Sequence, residues 1–311
     1  MITVHSGDLH HIKRSGPLSQ SRRGKSWGNG PMPRSDDRRE KMNTRSTGRL
    51  RMVAAMSALL SLTCATGASA QMQRPDDGWY VRLGTLGFVA PEYEGSDQYK
   101  VRPVPDIEIT YDRFFLSRQG LGANLISTDS LTLGASVAFD GGRKSRKDKA
   151  LTGYRNVGDT AVGHIFAEYT IDRLMLSADV GTDLLGDGHK GTEATLSATW
   201  MFNPVGRTLL MVGPSLTWAS NDYMDSFFST TIDRLDQTKI APGSRTGYDA
   251  DAGFKNVGLT AIMIHPLDKN WSITGLAGYS RLLGDAADSP FVKDNGSRDQ
   301  FMGGLGLSYT F

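Results

Sequence analysis

Apolar and polar residues alternate along most of the chain from residue 78 onward. The final segment shows the pattern most clearly, because one face carries only apolar, aromatic or glycine residues, namely Phe301, Gly303, Leu305, Leu307, Tyr309 and Phe311. A period of two indicates β-strands with one apolar face. The alternation predicts ten strands, over residues 79–90, 113–126, 131–140, 160–171, 173–184, 191–202, 208–219, 253–266, 271–283 and 299–311. Residues 104–111 also alternate, and twelve strands is the alternative.

These strands have the properties of a barrel in a membrane. They run about ten to thirteen residues, which matches a tilted strand across a bilayer and exceeds the usual strand of a soluble sheet. Aromatic residues lie near the strand ends, as in the girdles at the two membrane surfaces. Short joints alternate with longer polar ones, which is the pattern of periplasmic turns and extracellular loops. The sequence therefore predicts an all-β fold, an antiparallel transmembrane β-barrel.

The segment before the barrel has the parts of a secretory signal peptide. Residues 42–70 hold a basic start, an apolar stretch, and small residues that end in Ala70. Cleavage there would make Gln71 the first residue of the mature protein, and we predict the barrel domain over residues 71–311. Residues 1–41 are basic and lack periodicity, so they are either a disordered extension or a segment added by a wrong start site.

Composition narrows the classes of function. Outside the signal peptide no apolar run is long enough for a membrane helix, which excludes a bundle of such helices. Residues 1–70 hold 12 of the 35 Lys and Arg and 4 of the 33 Asp and Glu, so the rest has 23 basic and 29 acidic residues. That acidic body argues against a nucleic-acid partner. The one cysteine, Cys64, lies in the signal peptide, which rules out disulfides and cysteine chemistry in the mature chain.

Candidate catalytic residues are sparse. The mature chain has three histidines, His164, His189 and His265, and it lacks the usual zinc, phosphate-loop and calcium-loop motifs. His164 shares a face with Glu168 and Ser177, but acids and serines are common on that face. We therefore predict no catalytic residues, no metal site, no cofactor and no enzyme activity.

Charged residues also fall on the polar face of the predicted strands. By the alternation, the lumen side holds Asp140, Glu168, Arg173, Asp179, Asp183 and Glu193. In a narrow barrel such charges pair with one another or with Lys and Arg in a filled interior, because an unpaired buried charge is costly. A conducting pathway with a preference for cations is the alternative.

Several strings carry a more specific signal. They are Trp79–Gly84, Pro91–Ser96, Pro103–Pro105 ahead of Tyr111-Asp112, Tyr309–Phe311 and, most specific of all, Arg281-Leu282-Leu283-Gly284-Asp285-Ala286-Ala287-Asp288-Ser289-Pro290. Together they resemble the MipA/OmpV family of Gram-negative outer-membrane proteins, over residues 78–311.

The resemblance implies localisation in the outer membrane, with contact to its lipid and lipopolysaccharide. The namesake of the family is described as a scaffold that connects a lytic murein transglycosylase to a bifunctional penicillin-binding protein, and other members are known as surface antigens or adhesins. A scaffold for peptidoglycan-remodelling enzymes is therefore the expected role. A narrow channel or uptake protein and a surface adhesin, which would use the loop at 220–250, are the alternatives.

Two segments are candidate functional sites. The family-motif loop holds Arg281, Asp285, Asp288, Ser289 and Pro290. These residues either form turns, with Arg281 paired to a neighbouring acid, or make a recognition surface or latch over the barrel mouth. The last strand, with Leu305, Leu307, Tyr309 and Phe311 on one face, resembles the C-terminal signal that the barrel-assembly machinery recognises.

Overall fold

The computed structural model describes residues 78–145, 151–231 and 247–311. The predicted extension 1–41, signal peptide 42–70 and cleavage site at Ala70 and Gln71 lie outside the described residues. The strands are β1 (Trp79–Pro91), β2 (Tyr99–Tyr111), β3 (Phe114–Ser117), β4 (Gly120–Ser127), β5 (Leu131–Asp140), β6 (Thr160–Ile171), β7 (Leu174–Asp183), β8 (Thr192–Phe202), β9 (Leu209–Ala219), β10 (Gly253–Pro266), β11 (Trp271–Leu282) and β12 (Asp299–Thr310). The helices are α1 (Asn221–Phe228), α2 (Gly284–Asp288) and α3 (Pro290–Asn295).

The twelve strands form one closed antiparallel barrel, which confirms the predicted fold class. Neighbours in sequence are neighbours in the wall, and β12 returns to pair with β1. The pairing at this seam runs from Arg82 opposite Thr310 to Val89 opposite Gly303. Closure removes the free strand edges that an open sheet would expose at its two ends.

The outer surface of the wall is apolar. Val101, Ile165 and Leu305 are 78%, 72% and 70% exposed. At the rim where β1 begins and β12 ends, Trp79 stacks on the ring of Tyr111 with centroids 4.7 Å apart. An apolar band bordered by aromatic rings is the surface that a barrel presents to lipid. Short turns join the strands at this rim and longer segments join most of them at the other, so the first rim is the periplasmic one by the pattern of bacterial barrels.

The barrel has twelve strands, the number that the sequence analysis gave as its alternative. The prediction of ten strands is wrong between residues 90 and 126. The predicted long joint 90–102 contains the first part of β2, and the predicted strand 113–126 is the hairpin of β3 and β4. The hairpin turns at Gly120, whose φ is 93°, and a Cβ atom there would lie 2.1 Å from the carbonyl oxygen of Val137. Only glycine fits this turn, which the alternation alone did not reveal.

This hairpin is too short to fill the wall between β2 and β5. β2 pairs with β3 only over Ile109–Tyr111, and the pairing of β4 with β5 ends at Val137. Among the described residues, no strand pairs with the side of Tyr99–Ile107 that faces away from β1, or with the side of Ala138 and Phe139 that faces away from β6. We call this gap in the outer half of the wall the lateral opening.

Apolar side chains fill part of the lumen. Leu86, Phe88, Ala90, Met175, Met201, Leu209, Met211, Ile262, Ile264 and Leu276 form one buried group, here called the inner cluster. Phe88 is 2% exposed and Met175 is fully buried. The inner cluster therefore packs as a core inside the barrel rather than lining an open channel.

A second buried group closes the outer end. The outer cap consists of α1, α2, α3 and the segments 92–98, 151–157 and 247–252, whose apolar residues include Tyr93, Leu151, Val157, Tyr223, Met224, Phe227, Phe228, Phe291 and Val292. The rings of Phe228 and Phe291 stack with centroids 6.0 Å apart. Within the described ranges, no helix has the length and apolar character needed to cross a bilayer.

Candidate functional site at the barrel mouth

The family-motif loop begins at the outer end of β11. Arg281 forms an ion pair with Asp299 of β12, with Nη1 and Oδ1 2.7 Å apart. The same carboxylate accepts a hydrogen bond from the Tyr279 hydroxyl at 2.6 Å. These contacts join the outer ends of β11 and β12, which is the arrangement expected if Arg281 orders the loop.

Ser289 and Asp285 attach this loop to the rest of the outer cap. Ser289 is fully buried, and its hydroxyl donates to the carbonyl oxygen of Phe228, at the end of α1, at 2.6 Å. The Tyr248 hydroxyl donates to the Asp285 carbonyl at 2.8 Å. Burial of the Tyr248 ring raises the pKa of its hydroxyl to about 12, an effect that nearby carboxylates, Asp285 first, reinforce. The motif therefore holds α1, α2 and α3 together.

Asp288 and Pro290 have more local roles. Asp288 forms ion pairs with Lys293 and Arg298 at 3.0 and 3.1 Å, but all three side chains are at least 39% exposed. Such surface pairs add little to stability. Pro290 occupies the first turn of α3, where backbone N–H groups have no partner within the helix, so the missing N–H of proline costs no hydrogen bond.

Arg143 closes the C-terminal end of α1. Its guanidinium donates to the carbonyl oxygens of Phe227 and Ser226. It also lies over the ring of Phe291 at 5.3 Å from the centroid. A positive charge at the C-terminal end of a helix is favourable, and burial lowers the pKa of Arg143 to about 10 while leaving it protonated at neutral pH.

Lys255 is the central charged residue beneath the cap. Its ammonium forms ion pairs with Glu193 of β8 and with Glu94 of the β1–β2 loop, the latter at 2.7 Å. It also donates to the Tyr223 hydroxyl of α1 at 3.2 Å and is 4.6 Å from the centroid of that ring. One buried lysine thus connects the wall, the first loop and the helix of the cap.

Two groups beside Lys255, the Glu94 carboxyl and the Tyr223 hydroxyl, have a raised pKa. Burial raises the pKa of Glu94, and Glu193 adds to the increase because the two carboxylates share one ammonium. Burial also raises the pKa of the Tyr223 hydroxyl well above its ordinary value, with the same two carboxylates contributing. Opening the cap would return water to these groups and lower both pKa values toward their ordinary range.

A small polar chamber lies between the cap and the inner cluster. Its volume is about 60 Å³, enough for a few water molecules. Its charged lining consists of Glu94, Asp140, Asp179, His164, His189, Glu193 and Lys255. His164 Nδ1 lies 3.0 Å from Asp179, and His189 Nε2 lies 4.0 Å from Asp140. Among the described residues, no group of three or more His, Cys, Asp or Glu side chains is placed to hold a metal ion.

The predicted lumen charges lie inside the barrel with one exception. Arg173 is exposed in the turn between β6 and β7, so its assignment to the lumen is wrong. Asp183 accepts hydrogen bonds from the Thr160 hydroxyl at 2.5 Å and from four backbone amides of the β7–β8 loop, those of Leu185, Gly186, Gly188 and Lys190. Asp179 contacts His164, and Glu193 forms an ion pair with Lys255. The buried Glu168 lies opposite Ser177 on the neighbouring strand. His164 therefore contacts Asp179 rather than the Glu168 considered from the sequence.

The last strand carries its predicted signal residues on the lipid side. Leu305, Leu307 and Phe311 are 70%, 43% and 72% exposed. The backbone N–H of Phe311 donates to the carbonyl oxygen of Val81 at 3.0 Å, and its ring contacts that of Tyr309. The C-terminal residue is therefore part of the seam that closes the barrel.

Residues 83–311 match the family model described as MltA-interacting protein MipA. The chain belongs to the MipA family. Relatives include outer membrane protein OmpV of Vibrio cholerae, 25% identical over 64% of this chain and 70% of the relative. Outer membrane protein Omp26La of Vibrio anguillarum is 28% identical over 46% of this chain and 54% of the relative, about half its length.

Solved structures of other outer-membrane barrels are also similar. OmpT of Vibrio cholerae, expressed in the outer membrane, is 10% identical, with 77% of this chain and 99% of that chain covered and a TM-score of 0.34. The outer membrane channel DcaP of Acinetobacter baumannii is 11% identical, with 75% and 96% covered and a TM-score of 0.34. Because its relatives are outer-membrane proteins and its strands form a closed barrel, the MipA family chain is an outer-membrane β-barrel protein of a Gram-negative bacterium.

The sequence did not reveal Arg143, Lys255, Glu94 or Tyr223 as parts of the site. Lys255 offered one signal, because it interrupts the apolar alternation of β10 next to an irregularity in pairing between Phe254 and Asn256. The partners of Lys255 lie on the first loop, β8 and α1, and only the closed barrel brings them together.

Proposed function

We propose that this MipA family protein is a non-conducting, non-enzymatic anchor that holds peptidoglycan-remodelling enzymes at the inner face of the outer membrane. The observation that carries the proposal is the filled lumen. The inner cluster occupies the barrel interior and the outer cap closes its mouth. A partner can therefore bind only at the outer surfaces of the protein, such as its two rims. The name of the family, which refers to interaction with MltA, supports a murein transglycosylase as the partner.

The periplasmic rim is the surface that such an enzyme would reach. Its turns present exposed charges of both signs, including Asp112, Arg113, Asp172, Arg173 and Arg207. Asp112 and Asp172 have φ angles of 50° and 53°, a conformation that aspartate tolerates in tight turns. Rigid turns that carry charged side chains suit a partner with complementary charges. A penicillin-binding protein would join through the transglycosylase or through the same rim.

The first test is affinity capture with crosslinking of the protein from its native envelope. We expect recovery of a murein transglycosylase or a penicillin-binding protein, and loss of that recovery in the triple variant Arg113→Glu, Arg173→Glu and Arg207→Glu. The matched control is Arg155→Glu, an exposed arginine of an outer loop, which should leave capture unchanged. Planar-bilayer recordings on the same preparation should show no conductance steps.

Two results would overturn the proposal. Reproducible conductance steps without any captured murein enzyme would support the narrow-channel alternative. Equal capture by the triple variant and the wild type would show that the periplasmic turns are not the docking surface.

A further inference from the structure

The lateral opening interrupts the wall within the membrane. β3 is four residues long, so the hairpin follows β2 for only ~13 Å, whereas its eight-residue arm β4 follows β5 up to Val137, three residues before the outer end of that strand. The tip of the hairpin therefore lies toward the outer end of the wall, and the opening is long on the β2 side and short on the β5 side. Above the tip, the free sides of β2 and β5 face the outer leaflet.

The edge of β2 is built so that another strand cannot pair with it. Tyr111 and Phe114 flank a two-residue turn, so the odd-numbered residues of β2 direct their backbone groups toward β3 and, further up, toward the opening. Pro103 and Pro105 belong to that set and have no N–H to donate. Proline is confined to strand edges for this reason, and it blocks edge-to-edge pairing. A second copy of the chain is thus a poor occupant.

The edge nevertheless needs a partner. Unpaired backbone groups in hydrocarbon cost several kcal/mol each, so they occur only where protein, water or a polar ligand satisfies them. Two buried donors beside Asp106 and Glu108, on the lumen side of β2, add to this need. Arg82 forms an ion pair with Glu108 at 2.8 Å and is 8% exposed, yet its Nε has no hydrogen-bond partner among the described residues. Arg118, at the hairpin tip, pairs with Asp106 at 3.1 Å through one nitrogen, while its Nη1 has no partner in the part of the chain that the structure describes.

The two sides of the opening differ in chemistry. On the outside, Val101, Leu121 and Phe139 are 78%, 65% and 47% exposed and form apolar lips. On the inside lie the guanidinium groups of Arg82 and Arg118. An occupant must therefore combine a hydrocarbon chain with oxygen atoms that accept hydrogen bonds.

We propose that the lateral opening is a binding site for an acylated lipid of the outer leaflet. The acyl chain lies between the apolar lips, and ester or hydroxyl oxygens of the lipid accept hydrogen bonds from Arg118 and from the backbone N–H groups that Val101 and Ile107 direct toward the opening. The inner cluster and the outer cap close the lumen below and above, so the lipid is held at the wall rather than passed through the barrel.

The test is photo-crosslinking in reconstituted outer-membrane vesicles that contain phospholipid and lipopolysaccharide. A benzophenone amino acid replaces Gln119 at the hairpin tip, and heat-modifiable migration verifies folding. Leu196, which is 60% exposed to lipid, is the positive control, and Ser215 on the inner face of β9 is the negative control. We expect lipid adducts at Gln119 and Leu196 and none at Ser215.

A second measurement does not depend on the benzophenone variant. Native mass spectrometry of Arg118→Gln should show about a fivefold loss of co-purified lipid, the effect of one hydrogen bond, while Arg155→Gln in an exposed outer loop should retain it. Absence of lipid adducts at Gln119, adducts to a second copy of the chain, or unchanged lipid retention in Arg118→Gln would each overturn the proposal.

Discussion

Lys255 shows how one residue can hold several loops in place. Its ammonium is buried with two carboxylates and a tyrosine hydroxyl, each from a different part of the chain. Removing one member of such a group lowers the free energy of unfolding by more than the intact group adds to it, because the remaining charges stay buried without compensation.

We therefore expect Lys255→Met to lower the free energy of unfolding of the outer cap by about 3–5 kcal/mol. Limited proteolysis within residues 221–231 should detect the change, while heat-modifiable migration reports that the barrel is intact. Lys293→Met removes an exposed ion pair with Asp288 and should cost under about 1 kcal/mol. Equal protease resistance of the two variants would contradict a central role for Lys255.

Glu94 makes the cap sensitive to pH. Because burial raises its pKa, the closed cap binds its proton more tightly than the opened cap does. Protonated Glu94 therefore stabilises the closed cap. This stabilisation is fully present below the ordinary pKa of a glutamate and is lost as pH rises through the raised pKa. We expect greater protease resistance of the cap at mildly acidic than at neutral pH, and a flatter profile in Glu94→Gln. A profile that rises with pH, or that Glu94→Gln leaves unchanged, would refute this assignment.

At the scale of elements, β12 combines a lipid-facing surface with the closing seam. Phe311 contributes a backbone hydrogen bond to β1 and a ring contact to Tyr309. We expect deletion of Phe311 to lower the yield of assembled barrel, measured as the heat-modifiable fraction in the outer membrane. Phe301→Ala, at the outer end of the same strand, is the control and should assemble normally. Normal yield after the deletion would count against an assembly signal.

The elements also show what the sequence could and could not predict. Alternation predicted β5 to β12 closely, because one face of each strand contacts lipid and the other the lumen. The same rule failed at β2 to β4, where Pro103 and Pro105 resemble a loop and the short polar turn Arg118-Gln119 was included in one long strand. The family-motif loop could be recognised from its amino-acid sequence. The hydrogen bond from Ser289 to Phe228 of α1 could not, because it forms only when the cap is folded. Lys255 interrupts the alternation of β10, but its contacts could not be predicted because its partners are distant in sequence.

At the scale of the whole molecule, the lumen is closed at two levels that do not share residues. Loosening the cap leaves the inner cluster, and trimming the inner cluster leaves the cap. We expect no conductance from Lys255→Met or from the triple variant Met175→Ala, Met201→Ala and Met211→Ala. Conductance steps in planar bilayers should appear only when the two sets are combined. Steps in either one alone would show that a single level closes the barrel.

The seam between β1 and β12 also has a kinetic consequence. The first strand of the barrel pairs with the last, so this contact has the longest sequence separation in the wall. Joining distant segments is entropically costly, and folding rates fall as contacts become less local. During synthesis β1 emerges long before its partner exists. Its free edge must be shielded through that interval, and a ribosome that stalls before β12 would release a chain that cannot close.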